Sequence, residues 1–261
     1  ARVAQQQGIA LGLGSGRALL EDPGALPSFD VRDLAPAVPL LANLGAVQLL
    51  RGVSSADCSR LVELLRADAL VLHLNALQEA LQDTGDVTFT GLLAAIEGLC
   101  ARLSVPVVVK EVGWGIPPDD VRRLFGAGVA AVDVAGAGGT SWSEVERNRA
   151  GAAMARTAAA FRDWGLPTAD AVRRARESAP GGTIIASGGI LDGLDAAKAI
   201  AVGADMVGVA GPFLRAAAAG ERQAMDLAGD LVNVLRLTMF CTGSASVKDL
   251  QGTARLELLA P

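Results

Sequence analysis

Four polar side chains follow an apolar run in the stretch VLHLNALQEA at residues 71–80, namely His73, Asn75, Gln78 and Glu79. His73 is the only histidine of the chain, and an imidazole in such a place suggests a general base. Gln78 and Glu79 add an amide and a carboxylate to the same stretch. The pattern pairs no carboxylate with His73, so proton transfer by a His–carboxylate pair is not indicated.

Short apolar runs recur along the chain, and each ends in glycine or polar residues. Near-continuous apolarity of this kind is typical of strands buried on both faces of a parallel sheet. The predicted strands cover residues 8–15, 38–45, 69–75, 106–113, 130–139, 183–189 and 206–212. Helical patterns lie between them at residues 58–67, 88–103, 117–128, 167–178 and 192–204.

Alternation of strand and helix predicts an α/β fold with a parallel sheet, and the strand spacing favours a TIM (β/α)8 barrel. A barrel of this kind needs eight strands, so we expect that its first strand is absent from the chain, which opens at Ala1 in a helical pattern. We expect one domain over residues 1–261. The alternative is an open doubly wound sheet, because GLGSGR at 12–17 is superficially like a dinucleotide-binding turn.

Two further segments carry weaker signals. Residues 147–165 are rich in Ala and Arg and are expected to form either an active-site loop with helical parts or a surface insertion. Residues 225–240 predict an amphipathic helix near the end of the chain.

Glycine-rich turns follow the last two predicted strands. ASGGI at 186–190 and VAGPF at 209–213 lead into helices, whose N-termini and free backbone N–H groups favour an anion. The loops after the last two strands of a barrel commonly hold a phosphate. The predicted phosphate ligands are Gly188, Gly189, Ala210 and Gly211. The alternative is that these glycines only permit tight turns.

Other strand ends carry single candidates. Lys110 ends an apolar strand, where a lysine is costly unless it is paired with an anion, either a ligand or a nearby carboxylate. Asn43 suits the edge of a heteroaromatic ring, although a structural Asn in a turn is nearly as good an explanation. Thr140 supplies a hydroxyl donor. Ser15 and Arg17 could meet an anion, while a solvated helix start is the alternative for Arg17.

Composition narrows the function. The chain is 51% apolar and 20% charged, which favours a globular protein over a disordered one. A net charge of −5 argues against a general nucleic-acid binder. No apolar run approaches the roughly 20 residues of a membrane span. Three cysteines lack CxxC spacing, so we expect reduced thiols and a cytoplasmic protein.

Several segments together resemble the type 2, FMN-dependent isopentenyl-diphosphate isomerases. The similar segments occur in the family's order and cover nearly the whole chain. They are LGSGR (13–17), ANLG (42–45), HLNALQEA (73–80), VKEVGWG (109–115), VDVAGAGGTSW (132–142), ASGGI (186–190) and GADMVGVAGP (203–212). HLNALQE and VDVAGAGGTSW are the specific ones, because many FMN barrels share the glycine turns.

The resemblance implies FMN, Mg²⁺ and reduced flavin supplied through NADPH, and an interconversion of isopentenyl and dimethylallyl diphosphate without net redox change. The roles it implies are assigned residue by residue as follows. The flavin ring and ribityl chain would be held by Asn43, Lys110 and Thr140, and the flavin phosphate by Gly188, Gly189, Ala210 and Gly211. The substrate or its diphosphate would be contacted by Ser15, Arg17, His73 and Asn75. The Mg²⁺ would be bound by Glu79. The catalytic residues that the resemblance implies are Gln78 and Lys110. Gln78 would lie beside the isoprenoid double bond as a positioning group, with a direct role in proton transfer left open, and Lys110 would stabilise the electron-rich flavin near N1.

One departure from the family pattern concerns the N-terminal part. The family's first barrel strand, with its Met-Thr-Gly-Gly flavin contact, and its basic diphosphate-binding segment are not in this sequence, and we expect both to belong to the full protein. The resemblance also implies a homo-tetramer or homo-octamer. Two other functions remain as alternatives: a different FMN barrel, such as a 2-hydroxyacid oxidase or a dihydroorotate dehydrogenase, and a non-enzymatic binder of phosphate ligands.

Overall fold

The computed structural model describes residues 1–257 and contains seven strands, hydrogen-bonded to one another in chain order. The pairs β1–β2, β2–β3, β3–β4 and β6–β7 are parallel. The strands are β1 (Leu11–Gly12), β2 (Leu40–Gly45), β3 (Ala69–His73), β4 (Val107–Lys110), β5 (Ala131–Asp133), β6 (Thr183–Ala186) and β7 (Met206–Val207). Each lies inside a predicted strand, so the apolar runs located the sheet correctly.

Helices occupy the connections. They are α1 (Arg2–Gln7), α2 (Arg17–Glu21), α3 (Ser55–Leu65), α4 (Ala76–Ala80), α5 (Leu92–Cys100), α6 (Pro118–Gly126), α7 (Trp142–Arg149), α8 (Ala152–Ala159), α9 (Thr168–Ser178), α10 (Gly193–Val202), α11 (Gly211–Ala219), α12 (Glu221–Thr242) and α13 (Val247–Leu250). Short 3₁₀ turns cover Pro23–Ser28, Arg32–Leu34 and Ala46–Leu50. The five predicted inter-strand helices and the predicted C-terminal helix are all present.

The chain divides into two compact units. Unit 1 comprises Ala1–Lys110, Arg123–Val132 and Trp142–Arg162, and unit 2 comprises Glu111–Arg122, Asp133–Ser141 and the chain from Asp163 onward. The expectation of one domain over residues 1–261 stays a prediction.

Unit 1 is built on β2, β3 and β4. Leu44, Leu70, Leu72 and Val109 are fully buried, as expected of strands covered on both faces. The register aligns Gly45 with His73 and His73 with Lys110. The polar ends of β3 and β4 and the glycine that ends β2 therefore form one row across three strands.

Local sequence signals explain where the helices of unit 1 begin. Ser54 caps α3 through a capping box, in which its hydroxyl accepts the N–H of Asp57 at 3.2 Å and the Asp57 carboxylate accepts the N–H of Ser54 at 3.0 Å. The sequence pattern does not predict helix α4, which has only five residues and follows β3 after Leu74 and Asn75. The predicted strand 69–75 consequently ends at His73, and Asn75 becomes the residue before α4.

The segment predicted as a loop or insertion, residues 147–165, is largely helical. Helix α7 reaches Arg149 and α8 follows after Ala150 and Gly151. The hydroxyl of Ser143, which is fully buried, donates to the carbonyl of Phe161 at 3.0 Å and ties the two ends of this helical pair together.

Unit 2 is built on β6 and β7 with helices α9 to α13. Ala197, Ile200 and Ala201 of α10 form an apolar cluster with Leu250. Gly193 lets α10 begin close to α12, since a Cβ at this position would lie 2.3 Å from the carbonyl oxygen of Leu231. The small residues of α10 thus allow close helix packing in a chain with few aromatic residues.

Each unit contains an aspartate near the start of its strands that accepts hydrogen bonds from a backbone N–H group and from an arginine. We call this arrangement the arginine–aspartate latch. In unit 1, Asp68 accepts the N–H of Leu40 at 2.7 Å and the guanidinium of Arg32 at 2.6 Å. In unit 2, Asp205 accepts the N–H of Ile184 at 2.7 Å and the guanidinium of Arg176. Burial alone would raise the pKa of both carboxyl groups, but the N–H and guanidinium donors outweigh it and hold each pKa below its usual value.

Candidate active site

A polar network fills the space where β3 gives way to α4. The Asn75 amide nitrogen donates to a carboxylate oxygen of Glu79 at 2.7 Å and to Oε1 of Gln78 at 3.3 Å. Asn75 is 5% exposed, and its Oδ1 is buried without a hydrogen-bond partner in the described part of the chain. A buried acceptor without a partner is costly, so this oxygen indicates a ligand-binding site.

Sequence reasoning missed Glu146, which completes the network. This residue lies on α7 and is 4% exposed. Its Oε1 accepts hydrogen bonds from Nε2 of Gln78 and from Nε2 of Gln82, both at 2.9 Å. The spacing of Gln78 and Gln82, four residues apart, was the one available signal. Because the Glu146 carboxylate can only accept, the Gln78 amide must direct its nitrogen to Glu146. The Oε1 of Gln78 therefore faces Asn75.

The Glu79 carboxylate is held on both sides. Oε1 accepts from Asn75, and Oε2 accepts the N–H of Asp86 at 2.8 Å. Asp86 is itself paired with Arg51 at 2.8 Å. Each Glu79 oxygen keeps a free lone pair, so the carboxylate is oriented and still able to bind a cation.

Arg17 lies within electrostatic reach of this carboxylate. Its Nε donates to Glu21 at 2.6 Å. That hydrogen bond raises the pKa of Arg17 most, burial opposes it, and the charges of Glu21, Asp86 and Glu79 add to it. Arg17 and Ser15 are both exposed. Arg17 thus lies at the solvent-exposed start of α2 and pairs with Glu21. Its positive charge also interacts with the carboxylate of Glu79.

His73 is held by Asn43 on the neighbouring strand. The ring nitrogen Nδ1 lies 2.8 Å from Oδ1 of Asn43, whose Nδ2 donates to the carbonyl of Leu13 at 3.1 Å. Burial, and then the positive charge of Lys110, lower the pKa of His73 to about 4. The imidazole is therefore neutral at pH 7, which suits a hydrogen-bonding group and makes it a poor base.

Unit 2 contains two glycine-rich turns that pack against each other. Gly188 has φ +97°, and a Cβ there would lie 2.0 Å from the carbonyl oxygen of Gly136; Gly189 has φ +82°, and a Cβ there would lie 2.3 Å from that of Gly138. The hydroxyl of Thr168 donates to the carbonyl of Gly188 at 2.5 Å. Close packing and a positive φ thus require glycine at these two positions, and phosphate binding by Gly188 and Gly189 stays a prediction.

The start of α11 is more open. Ala210 precedes the helix and makes no side-chain cap, and Gly211 has room for a Cβ, whose nearest neighbour would be Nη1 of Arg215 at 3.5 Å. Thr140, the predicted ribityl contact, is exposed at the end of the other glycine-rich turn of unit 2. These positions offer uncapped N–H groups and a hydroxyl to an anionic or polyhydroxylated ligand.

Two buried carboxylates of unit 2 were not among the predicted site residues. Asp133 accepts the hydroxyl of Ser187 at 2.8 Å and the N–H of Ala135 at 3.1 Å. Glu111 accepts the N–H groups of Gly113 and Trp114, both at 2.6 Å. These bonds give both carboxylates a structural role in shaping the loops that follow β4 and β5.

Comparisons with known proteins define the class. Residues 54–256 match the family of FMN-dependent dehydrogenases. A solved mandelate oxidase structure superposes with a TM-score of 0.67 at 21% identity, covering 96% of this chain and 71% of that one. A lactate oxidase structure from Pediococcus acidilactici gives 0.67 at 16% identity, with coverage of 97% and 70%. The chain therefore has the fold of the FMN-dependent TIM-barrel enzymes, as predicted.

Curated relatives narrow the family further. The isopentenyl-diphosphate delta-isomerase of a Synechococcus species is 54% identical over 242 residues, which are 92% of this chain and 70% of that protein. That of Stutzerimonas stutzeri is 50% identical over 262 residues, covering 100% of this chain and 76% of the relative. The chain belongs to the FMN-dependent, type 2 isopentenyl-diphosphate delta-isomerase family.

Proposed function

We propose that the protein interconverts isopentenyl and dimethylallyl diphosphate with reduced FMN and Mg²⁺ and without net redox change. The observation that carries this proposal is the network of Asn75, Gln78, Glu79 and Glu146. It orients an amide and a carboxylate and leaves one buried acceptor open. The same residues, apart from Glu146, form the specific motif HLNALQE.

Mg²⁺ fits the chemistry of Glu79. Within residues 1–257, no group of three or more His, Cys, Asp or Glu side chains could enclose a metal ion. Mg²⁺, however, commonly binds through one or two carboxylates, phosphate oxygens and water. The oriented Glu79 would be its protein ligand, while Ser15 and Arg17 would meet the diphosphate.

FMN fits the remaining candidates. The uncapped N–H groups at Ala210 and Gly211 suit its phosphate, with Gly188 and Gly189 holding the adjacent turn. Lys110, whose charge acts on His73, would stabilise the electron-rich ring together with Asn43, and Thr140 would meet the ribityl chain. When bound in its reduced form, the flavin supplies the acid and base for moving a double bond. NADPH is the proposed reductant.

The protein's own residues then orient the substrate. Glu146 and Asn75 fix both ends of the Gln78 amide, so Gln78 can hold the isoprenoid chain in one pose. His73, which is neutral, and Asn75 contribute hydrogen bonds near the diphosphate. A cytoplasmic homo-tetramer or homo-octamer is also proposed, on the resemblance alone. Among residues 1–257, every helix is too short or too polar to serve as a membrane span.

The test is turnover under reducing conditions. Protein carrying FMN, given a reductant, Mg²⁺ and isopentenyl diphosphate, should form dimethylallyl diphosphate. Absence of product with flavin demonstrably bound would refute the proposal.

A variant separates the metal from the flavin. Glu79→Gln should lose Mg²⁺-dependent turnover while binding FMN as the wild type does, because the amide is a weak ligand for a hard cation. Glu63→Gln, which changes an exposed carboxylate of α3 in the same unit, is the matched control. Loss of flavin binding in Glu79→Gln would instead make Glu79 a structural residue.

A further inference from the structure

The Asn43–His73 contact determines which ring nitrogen carries the proton. Nδ2 of Asn43 donates to the carbonyl of Leu13 at 3.1 Å, so the other end of the amide, Oδ1, must face the imidazole. A reversed amide would set two carbonyl oxygens against each other. Because Oδ1 can only accept, Nδ1 of His73 must be the donor of the 2.8 Å bond.

The opposite edge of the ring is left as an acceptor. A neutral imidazole with its proton on Nδ1 carries a lone pair on Nε2. This edge lies over Gly45, where a Cβ would come within 3.2 Å of Nε2. Within residues 1–257 His73 makes no hydrogen bond through Nε2, and the atom is not among the buried unpaired ones. Nε2 is therefore available to a ligand.

A second acceptor lies two residues further along. Oδ1 of Asn75 is buried and unpaired, and its Nδ2 is already given to Glu79 and Gln78. Neither His73 Nε2 nor Asn75 Oδ1 can donate to an ionised phosphate oxygen. Both instead suit a group that carries N–H or O–H, such as a water molecule held by a metal ion.

We propose that Asn43 is a positioning residue that fixes His73 in its Nδ1–H tautomer, so that Nε2 accepts a hydrogen bond from an N–H or O–H group of the bound ligands. The identity of those ligands rests on the proposed function; the tautomer does not. In this assignment Nε2 of His73 is a hydrogen-bond acceptor and not a donor to the diphosphate. In addition to a flavin contact, Asn43 then has the role of fixing the His73 tautomer.

The single histidine makes the tautomer directly measurable. In the ¹⁵N-labelled protein, long-range ¹H–¹⁵N correlation of the only imidazole should show a protonated Nδ1 and an unprotonated Nε2 between pH 6 and 8, about two or more units above the pKa of about 4. Asn43→Ala should shift the population towards the Nε2–H form. Asn233→Ala, at an exposed position of α12, should leave it unchanged. A protonated Nε2 in the wild type, or an unaltered tautomer in Asn43→Ala, would overturn the proposal.

Ligand additions then identify the donor. FMN alone is added in one arm, and Mg²⁺ with inorganic pyrophosphate in the other. We expect the Nε2 resonance to move in at least one arm, in the direction of an acceptor that gains a hydrogen bond, while Nδ1 stays protonated. Protonation of both nitrogens, which would indicate an imidazolium donating to phosphate, would overturn the proposal. So would an Nε2 resonance that moves in neither arm.

Gly45→Ala is a second variant, which tests the acceptor role of His73 Nε2 even if Asn43→Ala fails to fold. Gly45 has φ −64°, so alanine causes no backbone strain and only crowds the Nε2 edge. It should retain the Nδ1–H tautomer and lose the ligand-induced shift. A ligand-induced shift as large as in the wild type would overturn the role of Nε2. Because tautomer and product formation are measured separately, failure of one is distinguishable from failure of the other.

Discussion

Gln78 and Gln82 form a natural matched pair for separating catalysis from stability. Each donates through Nε2 to the same Oε1 of Glu146 at 2.9 Å, and each is partly buried. Truncation of either residue to alanine removes one hydrogen bond to a buried carboxylate. Gln78→Ala also removes the contact of Gln78 Oε1 with Asn75, but at 3.3 Å this hydrogen bond is long and weak. The two variants should thus lose similar stability, while only Gln78→Ala should lose positioning of the substrate.

The expected loss of stability follows from the charged acceptor. A hydrogen bond to a charged group contributes roughly 1.5–3 kcal/mol, so each variant should lose about 2 kcal/mol of unfolding free energy. For a protein of this size, 1 kcal/mol corresponds to roughly 2–4 °C in Tm. Both variants should melt about 4–8 °C below the wild type by calorimetry or circular dichroism. The exposed Arg149, 3.9 Å from the same oxygen, contributes little.

The expected effect on turnover differs. Misplacement of a positioned group by about 1 Å can cost roughly 100-fold in rate, so Gln78→Ala should lose turnover of isopentenyl diphosphate by about that factor. Gln82→Ala should stay within about threefold of the wild type, well below that cost. The assay is formation of dimethylallyl diphosphate by reduced, FMN-loaded enzyme at saturating Mg²⁺.

Two results would refute this reasoning. Equal losses of turnover in the two variants would mean that Glu146 acts only by holding α4 and α7 together. A larger loss of Tm in Gln82→Ala than in Gln78→Ala would mean that the two hydrogen bonds to Glu146 are not equivalent. Glu146→Gln, which keeps a neutral acceptor, should lose less stability than Glu146→Ala, because a neutral oxygen can still accept one of the two amides.

Three further predictions concern single residues. Since the pKa of His73 falls from 6.5 to about 4 on folding, stability should decline by about 3 kcal/mol as the pH falls through this window, and urea titrations of His73→Gln should show a shallower decline. Gly188→Ala should destabilise the protein strongly, because its Cβ would lie 2.0 Å from Gly136 O at φ +97°, whereas Gly211→Ala should retain the wild-type Tm within about 1 °C. Burial raises the pKa of Cys58 to about 11, so in the native protein a thiol reagent should leave Cys58 unmodified until urea unfolds the chain.

The positions of the strands were predictable from the sequence because each strand is marked by a short, local pattern of apolar residues. Runs such as TIIASGG at 183–189 are mostly apolar and end in glycine, and this pattern alone predicts a buried parallel strand. Helix α4 escaped prediction because it has only five residues and follows β3 almost directly. So short a helix has no amphipathic period to detect and depends on tertiary contacts.

Only those residues of the candidate site that are close together in the sequence were predictable. The HLNALQE motif brings Asn75, Gln78 and Glu79 together through backbone proximity. The contact of Gln78 with Glu146 spans 68 positions, and that of His73 with Asn43 spans 30. Contacts of this kind depend on strand register and helix packing, which the pattern of one sequence leaves undetermined. The tautomer of His73 was hidden for the same reason.

The repeated arginine–aspartate latch has a consequence for how the chain folds. Asp68 joins elements 28 and 36 positions apart, and Asp205 joins elements 21 and 29 positions apart. A partly exposed ion pair contributes at most about 1 kcal/mol, less than the cost of closing a loop of about 30 residues, so each latch forms together with its strands. Because a slip of one residue would turn every side chain of a strand to the opposite face and would also take each aspartate away from its N–H partner, the latch disfavours the wrong register as the strands pair.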